Sequence, residues 1–175
     1  MAKNPEVEAV ERLLASFKQI LLLIPDNSVS FTQGYNTKSI AGNNILFVDS
    51  TRLTELRATH STNFDLSKLI KYCEELNLNY DAGCFLAVSM LVRAILDHVP
   101  PVFGYKSFSE VANNYSGGSK SFKESMDHLE KSLRKIADSC LHGQIRTREV
   151  LPNRTQVNFS SDLDVLLAEI VRVLK

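Results

Sequence analysis

A chain of 175 residues with 44% apolar side chains is the size of one domain with a real core. Twenty basic residues cancel twenty acidic ones, which excludes a global field drawing the protein to nucleic acid or anionic lipid and leaves such contacts to a local patch. The three cysteines, Cys73, Cys84 and Cys140, are odd in number and form no CxxC pair; a disulfide framework or zinc site is not expected, and a reducing cytoplasm is the expected compartment.

The N-terminal stretch "MAKNPEVEAVERLLASFKQ" carries acids where a signal peptide is basic and then apolar, so no leader is expected. Asn4-Pro5-Glu6 reads as a helix start, with a cap, a proline at the first helical position and an acid at the positive end of the dipole. Val7, Val10, Leu13, Leu14, Phe17, Ile20, Leu21 and Ile24 recur at helical spacing, so a helix is predicted over 5–24. Residues 26–63 differ. They are rich in Asn, Ser and Thr, contain Gly34 and Gly42, and hold two short β-prone pieces, "SVSF" and "NILFV". They read as an irregular arm or β-hairpin insertion, dispensable for the helical core, with "TRLTELRAT" as a short helix.

From Phe64 the pattern is helical again. "LSKLIKYCEELN" is capped by Asp65 or Ser67. "YDAGCFLAVSMLVRAILDHVPP" is apolar nearly all round, the mark of a central, buried helix. Its apolar run is broken by charge, so no membrane span is expected. "SFSEVANNY" is a short helix and "YSGGS" a turn. Ser119 or Ser121 opens a long helix to about Leu141, ended by Gly143. A connector over 144–159 leads to Ser161-x-x-Asp164, read as a capping box opening the last helix. The fold class is all-α: a helical bundle over 64–175, in a single domain with the N-terminal helix and the insertion.

Several polar residues stand out. Arg93 lies in the most apolar helix, where a charge needs a partner; Asp97, one turn on, is the local one. His98 follows, but on an intact helix it points roughly 140° away from Arg93. In "SLRKIADSCLHGQIR" Arg134, Asp138 and His142 fall at i, i+4 and i+8 and share one stripe beside the apolar one. An acid one turn before a histidine can orient its ring, and an arginine can hold a phosphate with two hydrogen bonds. An ordinary Arg–Asp pair followed by a C-capping histidine has the same spacing.

A buried helix bearing Arg, a Gly-rich turn, and a long helix ending "LRKIADSCLHG" together resemble the HEPN superfamily, helical bundles of bacterial toxin and phage-defence systems, over about residues 64–175. "RAILDH", Arg93 to His98, has the family's Arg-to-His gap, with Ala after the Arg. "RKIADSCLH", Arg134 to His142, resembles a subgroup reading Arg, Asn, His, with Asp138 standing where Asn does. The resemblance implies metal-independent RNA cleavage in a homodimer. His142 would move protons, with His98 as the other candidate, and Arg134 and Arg93, beside Asp138, would stabilise phosphoryl charge. Arg146, Arg148 and Arg154 would contact RNA backbone; residues 119–154 hold eight basic against five acidic side chains. It equally implies the alternative, a non-catalytic antitoxin, adaptor or dimerising scaffold with a partner protein. An RNase would bring Arg93, Arg134 and His142 together at an open cleft; a scaffold would satisfy them with internal salt bridges. No cofactor or metal is expected, because no P-loop, GxGxxG, HExxH or paired carboxylates occur.

Overall fold

The computed structural model describes residues 45–175. The helix predicted over 5–24 and the "SVSF" piece lie outside the described residues, which are helical and contain no strand. The helices are α1 (Ser50–Ala58), α2 (Ser67–Asp81), α3 (Phe85–His98), a 3-10 turn (Pro100–Phe103), α4 (Phe108–Asn114), α5 (Lys120–His128), a π turn (Leu129–Leu133), α6 (Arg134–His142), α7 (Arg154–Val157) and α8 (Ser160–Leu174). The stretch from α5 through the π turn to α6 is one continuous helix, because every junction residue keeps right-handed helical dihedrals.

Local chemistry sets most boundaries. Asp49 caps α1 through Thr51 N–H. Ser107 and Glu110 form a reciprocal capping box on α4, and Ser119 caps α5. Between α2 and α3, Gly83 takes φ +73°, a left-handed conformation suited to glycine, and this break separates the "YDAG" stretch from the helix that follows. Gly143 ends α6 for a different reason. Its φ is ordinary at −64°, but a Cβ there would sit 2.5 Å from the Ser139 carbonyl oxygen.

α3 lies between α2 and α6, and α8 lies against α1, α5 and the 3-10 turn. Val88, Val92, Ile95 and Leu96 of α3 are buried with Leu129 and Leu133 of the π turn and Leu163, Leu166, Leu167 and Ile170 of α8. By length and composition Phe85–Phe103 is apolar enough to cross a membrane, a test that a core helix also passes, and its Val88, Val92, Ile95 and Leu96 are buried in the bundle. Its other face corrects the expectation of burial all round, since Leu86 and Met90 are exposed.

The second half of the 26–63 segment belongs to the core. Phe47, Val48, Leu53 and Leu56 are all buried in it. Residues 45–48 form no strand; the buried Asn77 amide instead accepts from Phe47 N–H at 2.9 Å and Val48 N–H at 2.8 Å, and donates to the Val48 carbonyl at 2.9 Å. Arg52 ties α1 to α8 through Asp164 at 2.9 Å, and Arg57 ties it to α2 through Glu74 at 2.8 Å. The Ser161–Asp164 capping box does not form: α8 starts two residues earlier than that cap requires, after the buried Phe159, and Asp164 is engaged by Arg52.

Candidate functional site

α3 and α6 pack side by side, and each turns a polar stripe toward the other. Arg93 Nε donates to Asp138 Oδ1 at 3.2 Å, and its Nη1 donates to Asp97. Arg134 Nε donates to Glu130 at 2.9 Å, with its Nη2 3.6 Å from Asp97. The result is an alternating chain, Asp138–Arg93–Asp97–Arg134–Glu130, in which two cations face three carboxylates. The guanidiniums sit low in the groove, with side chains about one-fifth exposed. Burial pulls the Arg93 pKa down, but the hydrogen bonds to Asp97 and Asp138 outweigh it and raise it overall.

The structure therefore brings together Arg93, Arg134 and Asp138 and adds Asp97 and Glu130. His142 lies at the exposed end of α6 and makes no hydrogen bond or ion pair with any described residue. The Asp138 carboxylate that could have oriented its ring is engaged by Arg93 instead. His98 turns the other way. Its ring packs edge-on against Tyr72 of α2 at 5.9 Å, and burial, with Lys68 nearby, lowers its pKa.

The connector places its arginines in different settings. Arg146 is exposed, and its backbone N–H donates to Glu149 at 2.7 Å. Arg148 is exposed. Arg154 is half-buried: its guanidinium lies over the Tyr80 ring at 4.5 Å and the Phe85 ring at 5.5 Å, and its buried Nη1 has no hydrogen-bond partner among the described residues. No group of His, Cys, Asp and Glu among the described residues is arranged to hold a metal ion.

Beside the ionic chain lies a feature that sequence reasoning missed. Leu86, Ile145, Val150, Leu151 and Pro152, together with the polar Ser139, Gln144, Arg146 and Glu149, line a groove of about 340 Å³ between the start of α3, the end of α6 and the connector. The connector invites attention to its arginines, yet its most exposed large apolar residues are Ile145 at 94% and Val150 at 87%. Glu130 was open to inference as the residue one turn before Arg134; the groove was not, since loops have no periodicity to mark a covered side.

Compared with protein-family models, curated proteins and solved structures, the chain matches none.

Proposed function

We propose that this chain is a HEPN-like helical interaction module, of the adaptor or scaffold type, rather than a ribonuclease. The observation that carries the reading is the occupancy of both arginines. Each guanidinium of the Arg93–Arg134 pair already binds carboxylates of its own chain, and the cluster holds one more negative than positive group. A phosphate would have to displace those carboxylates and enter a site of the same sign. A catalytic centre instead keeps donors free where charge develops. His142, the remaining candidate, is exposed at the end of α6 and has no hydrogen bond to an acid among the described residues to fix its tautomer. The exposure of Leu86, Ile145, Val150 and Leu151 around one mixed polar and apolar groove supports a binding role.

The test is RNA cleavage. Purified full chain is incubated with single-stranded RNA in chelator, and products are examined for 2′,3′-cyclic phosphate ends. The module reading expects no product above that of the His142→Ala variant. Cleavage by the wild type that His142→Ala and Arg134→Ala both abolish would establish the ribonuclease and overturn the reading.

A further inference from the structure

Among the described residues, Arg52, Arg57, Arg93, Arg134 and Arg172 each hold a carboxylate of their own chain, and Arg154 lies over two aromatic rings. Arg146 and Arg148 are the exceptions. Both are exposed, and neither forms an ion pair with a described residue. The one acid between Gly143 and Asn153, Glu149, is engaged by the backbone, accepting from Arg146 N–H at 2.7 Å. The same connector bares Ile145 at 94% and Val150 at 87%, so two unanswered guanidiniums stand between apolar side chains. The segment is held at both ends. Gly143 N–H donates to the Ser139 carbonyl at 3.1 Å, and the Asn153–Gln156 capping box fixes the start of α7. A surface organised in this way enters a complex with less ordering cost than a free loop.

We infer that the connector is the docking surface for an acidic peptide segment of a partner protein, whose carboxylates take Arg146 and Arg148 and whose apolar side chains meet Ile145, Val150 and the Leu86 wall of the groove. The inference rests on reading the chain as an interaction module. Charge complementarity selects the partner. A guanidinium meets a carboxylate through two parallel hydrogen bonds, and two guanidiniums within three positions call for closely spaced acids. The groove's mixed lining, with Ser139 and Gln144 beside Leu86 and Leu151, suits a peptide, which brings backbone amides as well as side chains. The nearest acid of the ionic chain, Asp138, lies one turn before the end of α6 and already holds Arg93. A nucleic acid would also answer the two charges. Single strands, however, are held largely by bases stacked on aromatic rings; residues 143–158 contain no aromatic side chain, and phosphate would leave Ile145 and Val150 bare.

Selection of displayed 12-residue peptides on the immobilised full chain, followed by fluorescence anisotropy of the enriched sequences, tests this. The enriched peptides carry paired Asp or Glu close to a Leu, Ile, Phe or Met. Arg146→Glu combined with Arg148→Glu lowers their affinity at least tenfold and Ile145→Ser at least threefold, with the helical circular dichroism unchanged. Lys123→Glu, on the exposed side of α5, leaves binding as it is. Selection on the double charge-reversal variant returns basic peptides instead. A selection that returns no peptide, or peptides without acids, overturns the inference, as does binding that survives the double reversal. A single-stranded RNA 12-mer that binds more tightly than any enriched peptide, and is lost in the same double variant, assigns the arginines to nucleic acid and also overturns it. RNA cleavage by a chain that still binds the acidic peptides would overturn the module reading and leave the docking surface standing.

Discussion

Arg93 of α3 and Asp138 of α6, 45 positions apart in the chain, meet with Nε 3.2 Å from Oδ1 and join the central helix to its neighbour. The contact follows from the one charge placed mid-length in an apolar helix. Its strength is set by exposure. The Asp138 side chain is 41% exposed and that of Asp97 is 54% exposed, so water screens the pair and the 3–5 kcal/mol of a fully buried pair does not apply. A double-mutant cycle of Arg93→Met and Asp138→Leu, followed by urea denaturation, is expected to give a coupling of about 0.5–1.5 kcal/mol. Strict additivity would show that Asp97 alone satisfies Arg93.

Asn77 should be the more costly residue to lose. It is buried, and its side chain serves two backbone donors and one acceptor of residues 47–48. Asn77→Ala strands those groups and is expected to cost about 2–4 kcal/mol. Denaturant titration at constant slope reads this; a loss under about 1 kcal/mol would mean that water replaces the amide.

Gly143→Ala should destabilise the end of α6 although the glycine's φ is ordinary. The added Cβ meets the Ser139 carbonyl oxygen at 2.5 Å, a backbone atom that cannot swing aside. A loss of roughly 1–3 kcal/mol is expected, with faster amide exchange over residues 139–143. Unchanged exchange there would show that the helix end yields freely.

Thiol chemistry should separate the cysteines. Burial, with a smaller contribution from Glu74, pushes the Cys73 thiol up to about 12, so almost none is thiolate near neutral pH. Ellman's reagent is expected to label the half-exposed Cys84 and Cys140 and to reach Cys73 only on unfolding. Rapid labelling of all three in native buffer would contradict this burial.

Acidification should expose the cost of His98. Burial, and secondarily Lys68, lowers its folded pKa below the ordinary value of 6.5. The unfolded chain therefore binds the proton more readily, so stability is full above about pH 6.5 and falls as pH drops from there through the folded pKa. Of the described groups around its ring, Tyr72 meets it edge-on and Lys68 repels its charged form. His98→Gln should flatten the stability profile over that window, measured as denaturation midpoints from pH 7.5 to 5. An equal slope in the variant would place its origin elsewhere.

Much of the bundle is readable from sequence because its helices announce their ends: Ser107 with Glu110, Ser119 before Phe122, and the Pro100-Pro101 stop are local signals for local structure. α1 is less readable. Only Leu53 and Leu56 face inward, so nine residues hold too little pattern to show that they complete a core. The Arg93–Asp138 link could be anticipated because a charge in an apolar helix must be answered, and the covering helix offered an acid. The direction of His142 could not, since helical spacing gives a shared stripe and not which groups of that stripe engage one another. The exposure of Leu86 and Met90 was hidden for a similar reason. An apolar helix looks the same in sequence whether its far side meets its own chain or is open.

The π turn at Leu129–Leu133 accommodates one residue more than a regular helical turn would. Each residue of an α-helix rotates the following side chains by about 100°. Straightening those five positions into regular α-helix at constant length would swing Arg134 and Asp138 about a quarter-turn away from Arg93, while Phe122 and Met126, upstream, kept their places. The long helix thus behaves as two blades on one shaft, keyed at an offset, with one half aligned to the last helix and the other to the central one. Removing one residue within those five positions would let a regular spiral keep the blades aligned, whereas a change that straightened the turn at constant length would set them out of register.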